Sequence, residues 1–309
     1  SKLYEEHPDW CIHIDGRIRS EARKQLILDL SRDEVCEAVI KMITDVLKSA
    51  PISYVKWDMN RNMTEIGSTA WPAKKQKEIA HRYMLGLYKI LENITSNFPN
   101  ILFESCSGGG GRFDGGMLYY MPQTWTSDDT DAIERLMIQE GTSLVYPTSS
   151  MGSHVSAVPN HQVHRITPLN TRGVVAMAGS FGYELDVTKM NEEEKEEVKK
   201  QVEFYKNIRS TVQFGDLYRL KSSFDSNEAA WMNLSKDGKE VVVSYVKKYS
   251  EANVIPRRLK VKALDENSLY EVIETGEVFG GDELMYIGLE IGELMGDYQA
   301  KNWTLRKVD

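Results

Sequence analysis

A lysine and an aspartate two residues apart, Lys56 and Asp58, follow an apolar segment of the sequence. If residues 53–58 form a strand, the two-residue alternation of its side chains places this pair on one face, opposite Val55 and Trp57. A cation beside a carboxylate at the tip of a buried strand is costly unless it serves chemistry. Because α/β barrels carry active sites at the carboxyl ends of their strands, we interpret Asp58 as a catalytic centre. The simpler alternative is a surface ion pair at a strand end.

A second polar segment contains four consecutive glycines, residues 108–111, just after a strand candidate at residues 101–105. No Gly-Lys-Ser/Thr sequence follows these glycines, which argues against a phosphate-binding P-loop. Glycine allows the backbone to approach a bound ligand closely, so we predict that this loop borders a binding site. A flexible turn is the alternative.

Three aspartates, Asp128, Asp129 and Asp131, stand close together after a strand candidate at residues 123–127. Carboxylates favour the positive end of a helix dipole, which accounts for Asp129 or Asp131 and leaves Asp128 for another role. Hard cations also bind such oxygen ligands, although the spacing excludes an EF-hand.

His161 and His164 raise the alternative of a zinc site, but no glutamate-bearing helical motif accompanies them. We interpret these histidines as residues that anchor their loop by hydrogen bonds.

Two aspartates at strand tips, Asp58 and Asp128, each have a tryptophan nearby in the sequence. Glycoside hydrolysis needs two carboxyl groups that flank the same bond, and aromatic rings stack on the apolar face of a sugar. The pattern therefore favours a carbohydrate-cleaving site.

Strand candidates alternate with helical patterns through the first two thirds of the chain. The strand candidates are residues 25–30, 53–58, 101–105, 123–127 and 173–178, and the longest helical patterns cover residues 72–97 and 191–210. Such alternation predicts a parallel sheet or barrel. After Gly215 short strands and turns replace the helices, so residues 1–214 and 215–309 are predicted as a barrel portion and an antiparallel β-sandwich.

The composition excludes several classes of partner. A net charge of −8 gives no reason to expect nucleic acid or an anionic membrane surface as a partner. No run of about 18 apolar residues predicts a membrane span. Three cysteines suit a reducing compartment better than a disulfide framework, so we predict a cytoplasmic protein.

Three motifs resemble the signatures of bacterial α-galactosidases of glycoside hydrolase family 36. They are residues 56–61 (KWDMNR), 106–114 (CSGGGGRFD) and 125–132 (WTSDDTDA). Residues 19–26 (RSEARKQL) resemble the arginine-bearing segment that precedes them in the family. The resemblance extends over essentially the whole chain.

This resemblance implies a retaining double displacement with Asp58 as the nucleophile and Asp128 as the general acid/base. The implied substrates are raffinose-type oligosaccharides or melibiose, and neither a metal nor an organic cofactor is implied. Family members often form tetramers, so a homo-oligomer is expected. The resemblance assigns substrate binding to the following residues: Arg23, Lys56, Trp57, Asn60, Cys106, Gly108, Gly109 and Arg112.

The chain departs from the family in length. A complete (β/α)8 barrel has eight strand–helix units, and this sequence shows about six. The expected fold class is therefore an incomplete (β/α)8 barrel followed by an antiparallel β-sandwich, as a fragment of a longer protein. Open alternatives are galactosyl transfer, α-N-acetylgalactosaminidase specificity, or an inactive piece that only folds or binds sugar.

Overall fold

The computed structural model of the chain describes residues 1–253 and 255–308, which form two compact units, Ser1–Thr124 and Trp125–Asp309. The helices are α1 (Lys2–Glu6), α2 (Asp33–Lys48), α3 (Ile79–Asn97), α4 (Gly115–Tyr120), α5 (Ala132–Thr142), α6 (Leu169–Ala176), α7 (Glu192–Phe214) and α8 (Gly281–Tyr286). The first strands are β1 (Tyr54–Asp58), β2 (Leu102–Cys106), β3 (Gln123–Trp125), β4 (Met151–Ser156) and β5 (Ser180–Glu184). The later strands are β6 (Asp216–Lys221), β7 (Glu228–Leu234), β8 (Glu240–Lys247), β9 (Arg258–Leu259), β10 (Leu269–Val272), β11 (Glu277–Gly280), β12 (Leu289–Glu290) and β13 (Gln299–Val308).

The first unit packs two long helices against a parallel sheet. Strand β2 pairs in parallel with both β1 and β3. Apolar side chains of α2 and α3 recur at helical spacing, so each helix buries one stripe against the sheet. The buried cluster includes Val35, Leu87, Ile90, Leu91 and Phe103.

Gly86 marks the point where α3 passes closest to the preceding backbone. A Cβ atom at this position would lie 1.8 Å from the carbonyl oxygen of Leu30, so any side chain would push the helix away. The Cys36 thiol of α2 donates a hydrogen bond to the same carbonyl oxygen at 3.2 Å. Both helices therefore contact the segment that precedes α2.

The second unit combines parallel and antiparallel strands. Strands β4 and β5 pair in parallel, whereas the later strands form an antiparallel sheet in the order β11-β10-β13-β8-β7-β6 and a two-stranded sheet of β12 and β9. Apolar residues of α5 and α6 pack against β7, β8 and β13. Parallel strands and helices followed by an antiparallel β-domain confirm the predicted fold class.

Two strand predictions are wrong. Residues 25–30 form only isolated bridges, Cys11 with Leu28 and Ala22 with Gln25, and residues 173–178 lie largely within α6. The periodicity of a short apolar run does not distinguish a strand from a helix or an irregular segment. The described residues contain five parallel strands, whereas the sequence predicts about six strand–helix units. Strands β4 and β5 lie where the sequence shows no clear strand pattern. The predicted division at residues 214 and 215 differs from the two compact units and stays a prediction.

Among the described residues, each helix is too short or too polar to cross a membrane.

A buried charge cluster in the antiparallel sheet makes a testable contribution to stability. The Glu228 carboxylate, on β7, receives hydrogen bonds from Lys221, Tyr245 and Arg257. Burial raises the pKa of Glu228, but the hydrogen bonds from these three side chains outweigh burial and lower it to about 2. This folded-state pKa lies below the unfolded value, so the stabilisation is complete above about pH 4.5 and is lost as the pH falls through 2.

We expect Glu228→Gln to lower the free energy of unfolding by on the order of 3 kcal/mol at pH 7. The deficit relative to the unsubstituted protein should shrink between pH 4.5 and pH 2. Urea denaturation at pH 7 and pH 3 measures both effects. Glu290→Gln is a matched control, because its ion pair with Arg258 is exposed and spans 3.6 Å. An equal deficit at both pH values would contradict the assignment.

Candidate active site

Lys56 and Asp58 lie on one face of β1, as predicted, and this face is the more exposed one. Both side chains are exposed, whereas Val55 and Trp57 alternate with them and pack against the apolar cluster of the first unit. Trp57 is predicted to bind substrate, and this role stays a prediction. Its ring lies on the opposite face of the strand from Asp58, since neighbouring side chains of a strand point to opposite sides.

The Asp58 carboxylate is held by the residues that follow it. The Asn60 side-chain amide donates a hydrogen bond to Oδ2 of Asp58, and Oδ1 of Asn60 accepts one from the Gly108 amide at 2.9 Å. The Met59 amide donates to the carbonyl oxygen of Cys106 at 3.0 Å. These bonds tie the end of β1 to the loop that follows β2, so the position of Asp58 depends on both strands.

Cys106 stands next to Asp58 in the sheet. The two residues are register partners of β1 and β2, and Cys106 is buried. Burial raises the pKa of the Cys106 thiol to about 11, and the negative charge of the nearby Asp58 adds to the increase. The sulfur beside Asp58 is therefore a protonated thiol.

The glycine loop turns sharply beside this pair. Gly108 and Gly109 have φ values of +55° and +84°, a backbone conformation that favours glycine. The Ser107 amide donates to the Gly109 carbonyl oxygen at 2.7 Å, and the Ser107 hydroxyl donates to the Met59 carbonyl oxygen at 2.7 Å. The loop is therefore an ordered turn joined to β1, which disfavours the alternative of a flexible turn.

The Arg112 side chain connects the end of the glycine loop to the backbone of β1 and β2. Its Nη2 donates to the carbonyl oxygens of Trp57 and Cys106 at 3.3 and 3.0 Å. Burial lowers the pKa of Arg112, while the charge of the nearby Asp58 acts in the opposite direction. Arg112 thus supports the backbone of Trp57 and Cys106 beside Asp58, and its predicted role in substrate binding stays a prediction.

Arg23 is placed differently from the other predicted binding residues of the first unit. It lies on an exposed turn with a φ of +52°. Within the described part of the chain, its side chain makes no hydrogen bond or ion pair. The structure therefore brings Lys56, Asp58, Asn60, Cys106 and the glycine loop together, while Arg23 stays outside the hydrogen-bonded group.

In the second unit the three aspartates make different hydrogen bonds. Asp131 is the N-cap of α5 and accepts hydrogen bonds from the amides of Ile133 and Glu134 at 3.0 and 3.1 Å. Asp129 accepts from the Asp131 amide at 3.0 Å. Asp128 is exposed, and the described residues of its unit offer it no hydrogen bond. Capping of α5 accounts for Asp131, the hydrogen bond to the Asp131 amide accounts for Asp129, and Asp128 is left available, as the sequence indicates.

Arg135, which sequence reasoning missed, supports the segment that carries Asp128. This arginine is only 2% exposed, and its guanidinium donates to the carbonyl oxygens of Ser127 and Gly152 at 3.2 and 2.6 Å. Its guanidinium also lies 4.9 Å from the Trp125 ring centre, and burial lowers its pKa to about 10. A buried arginine in a helical pattern gives no sequence signal that distinguishes it from an exposed one.

Glu104 is the second residue that sequence reasoning missed. It is a fully buried carboxylate of β2 in register with Lys56 of β1. The period-two pattern of β2 places Glu104 on the same face as Cys106, so strand alternation was the signal that could have found it.

Family models match most of the chain. A model described as Melibiase matches residues 1–215, and one described as Glycosyl hydrolase family 36 C-terminal domain matches residues 228–305. The first match alone covers more than half of the chain, and the second falls within the antiparallel β-domain. The fold and the matches together place the chain in a glycoside hydrolase family.

Curated relatives agree with the family models. The α-galactosidase AgaA of Geobacillus stearothermophilus is 61% identical over 308 residues, which are 100% of this chain and 42% of that protein. The α-galactosidase Mel36A of Lactobacillus acidophilus is 50% identical over 309 residues and is covered to the same extent, 42%. The chain belongs to glycoside hydrolase family 36. It spans about two fifths of the length of the curated relatives it matches.

Solved structures show the same similarity. The crystal structure of AgaA matches with a TM-score of 0.98 at 61% identity, covering 100% of this chain and 43% of that one. A structure of an AgaA variant in complex with raffinose also matches with a TM-score of 0.98, with equal coverage and 60% identity. The galactosidase domain of the α-galactosidase–sucrose kinase AgaSK matches with a TM-score of 0.95 at 42% identity, covering 100% of this chain and 42% of that one.

Proposed function

We propose that this protein is a retaining exo-α-galactosidase that removes terminal α-galactosyl residues from raffinose-type oligosaccharides or melibiose. The observation that carries the proposal is the Asp58 carboxylate, held at the carboxyl end of β1 by Asn60 and bordered by Cys106. The names of the relatives support the substrate class, as do the AgaA variants solved with raffinose and with stachyose.

In the proposed reaction Asp58 attacks the anomeric carbon of the galactosyl group. The bond between that carbon and the leaving oxygen breaks, and Asp128 transfers its proton to this oxygen. Water then attacks the anomeric carbon of the galactosyl ester, Asp128 accepts a proton from the water, and the Asp58 carboxylate is released. Two displacements at one carbon leave its configuration unchanged.

The remaining polar residues are proposed to hold the galactose. Lys56 shares the exposed face of β1 with Asp58, and Asn60 and Cys106 adjoin its carboxylate. Gly108, Gly109 and Arg112 keep the strand ends and the loop in place, which supports a pocket floor. Arg23 is proposed to contact the sugar from its exposed turn.

We further propose a cytoplasmic location and a homo-tetrameric assembly. The three cysteines, Cys11, Cys36 and Cys106, are free and buried, which suits a reducing compartment. The tetramer rests on the resemblance to the family alone.

The stereochemical course of hydrolysis tests the proposal directly. The protein expressed from its complete reading frame is incubated with p-nitrophenyl α-galactoside, and the first-formed sugar is followed by proton NMR. We expect α-galactose first, with mutarotation to the β-anomer afterwards. First-formed β-galactose would overturn the retaining mechanism, and no turnover would overturn the activity. p-Nitrophenyl α-N-acetylgalactosaminide serves as the control for the alternative specificity.

The 309-residue chain is assayed in parallel with the protein from the complete reading frame. A folded circular-dichroism spectrum without turnover would assign the chain alone to the inactive alternative, and turnover would show that it contains a sufficient site.

A further inference from the structure

Glu104 is a carboxylate that the proposed mechanism does not use. Its side chain is 0% exposed, and its Oε1 lies 3.5 Å from the Lys56 ammonium. Its Oε2 accepts hydrogen bonds from the Tyr54 hydroxyl and from the Gln123 amide, the latter at 2.9 Å. Burial of an ionised carboxylate costs several kcal/mol of folding free energy unless polar partners compensate. Here polar side chains of β1 and β3 contact the Glu104 carboxylate of β2.

The register of the sheet places this cluster next to the proposed nucleophile. Lys56 of β1 and Gln123 of β3 are both register partners of Glu104, and Asp58 is the register partner of Cys106. Two residues of a strand span about 7 Å, so the layer of Lys56 and Glu104 directly adjoins the layer of Asp58 and Cys106. Both layers lie on the same face, because the residues differ by two positions on each strand.

Exposure separates the roles of the two charged partners. The Lys56 side chain is 35% exposed and can reach a ligand on this face, whereas Glu104 has no exposed surface. Lysine carries its charge on a flexible four-carbon stem, and its ammonium takes a defined position only when a partner fixes it. A mobile ammonium two residues from Asp58 would also be free to pair with that carboxylate and weaken it as a nucleophile.

We propose that Glu104 is a positioning residue that anchors the Lys56 ammonium in the layer next to Asp58, where it meets the galactosyl group. The inference rests on the proposed function and adds to it the group that sets the position of the lysine. Tyr54 and Gln123 orient the carboxylate, since both donate to the same oxygen and leave the other directed at Lys56.

A double-mutant cycle distinguishes this role from a merely structural charge pair. Glu104→Gln, Lys56→Met and the double variant are compared for kcat and KM on p-nitrophenyl α-galactoside, with melting temperatures recorded. We expect Glu104→Gln to lower kcat/KM about tenfold, mostly through KM, because ground-state contacts to the sugar weaken. In the Lys56→Met background the same substitution should change kcat/KM by less than about twofold, since its effect passes through the lysine.

Asp29→Asn is a matched control for loss of stability. Asp29 is another buried carboxylate of the first unit, 1% exposed, and it accepts a hydrogen bond from the Ser31 amide at 3.1 Å. This variant should lower the melting temperature without a change in KM. If Glu104→Gln does not fold, Tyr54→Phe removes one hydrogen bond to Glu104 from a half-exposed ring and should raise KM only when Lys56 is present.

Unchanged KM in Glu104→Gln, or losses that multiply in the double variant, would overturn the inference while the hydrolase activity of the unsubstituted protein stands. Absence of turnover in the unsubstituted protein would overturn the proposed function and this inference together. A KM effect that disappears in the Lys56→Met background supports the positioning role.

Discussion

Replacement of Asp58 by glycine should lower kcat for p-nitrophenyl α-galactoside by on the order of 10⁴-fold, because the galactosyl–enzyme ester can no longer form. The fold should persist, since Asp58 is exposed and its hydrogen-bond donors can turn to water. Steady-state kinetics and a thermal melt measure the two effects. Retention of activity within tenfold would remove Asp58 from the mechanism.

Sodium azide gives a second test of Asp58 as the nucleophile. Azide can enter the space left by the missing carboxylate and form a bond to the anomeric carbon while p-nitrophenolate leaves. We expect recovered turnover and a β-galactosyl azide product, because one displacement inverts the configuration. Asn60→Ala is the matched control: it removes a hydrogen bond to Asp58, should cost about tenfold in kcat, and should gain nothing from azide. An α-configured azide product would contradict Asp58 as the nucleophile.

Replacement of Asp128 by alanine should have an effect that depends on the leaving group. General acid catalysis contributes about 10²–10⁴-fold, so hydrolysis of raffinose should fall by that factor. With 2,4-dinitrophenyl α-galactoside the leaving phenolate needs no proton, and the galactosylation step should change little. Single-turnover measurements on both substrates separate this step from the hydrolysis that follows.

Asp129→Ala is the control for the Asp128 prediction. Asp129 accepts a hydrogen bond from the N-cap residue of α5, so its loss should lower stability. It should affect both substrates alike. Equal losses on both substrates for Asp128→Ala would assign Asp128 a structural role instead of proton transfer.

The alternating pattern of β1 is the part of the site that sequence predicts best. Period two places Lys56 and Asp58 on one face, and the structure agrees because the opposite face meets an apolar core. The sequence also distinguished the roles of the three aspartates. Asp131 caps α5, Asp129 accepts a hydrogen bond from the Asp131 amide, and Asp128 is left for another role. Both inferences depend only on local geometry within one element.

The missed features depend on contacts between elements. Strands β4 and β5 carry serine, glycine and histidine, so they lack the apolar run that predicts a buried parallel strand. Helix α6 is buried over most of its surface, which removes the one-sided pattern of an amphipathic helix. The partners of Glu104 come from two other strands, and their convergence follows only from the register of the sheet.

The protonated state of Cys106 has a consequence for chemoselectivity. Two nucleophilic atoms, a carboxylate oxygen and a sulfur, adjoin each other at the end of β1 and β2. With a thiol pKa of about 11, the sulfur is a protonated thiol at neutral pH. A thiolate there would compete for the anomeric carbon and form a thioglycoside, which hydrolyses far more slowly than an ester. In the proposed reaction, burial of Cys106 therefore keeps its sulfur protonated and leaves the Asp58 carboxylate as the nucleophile.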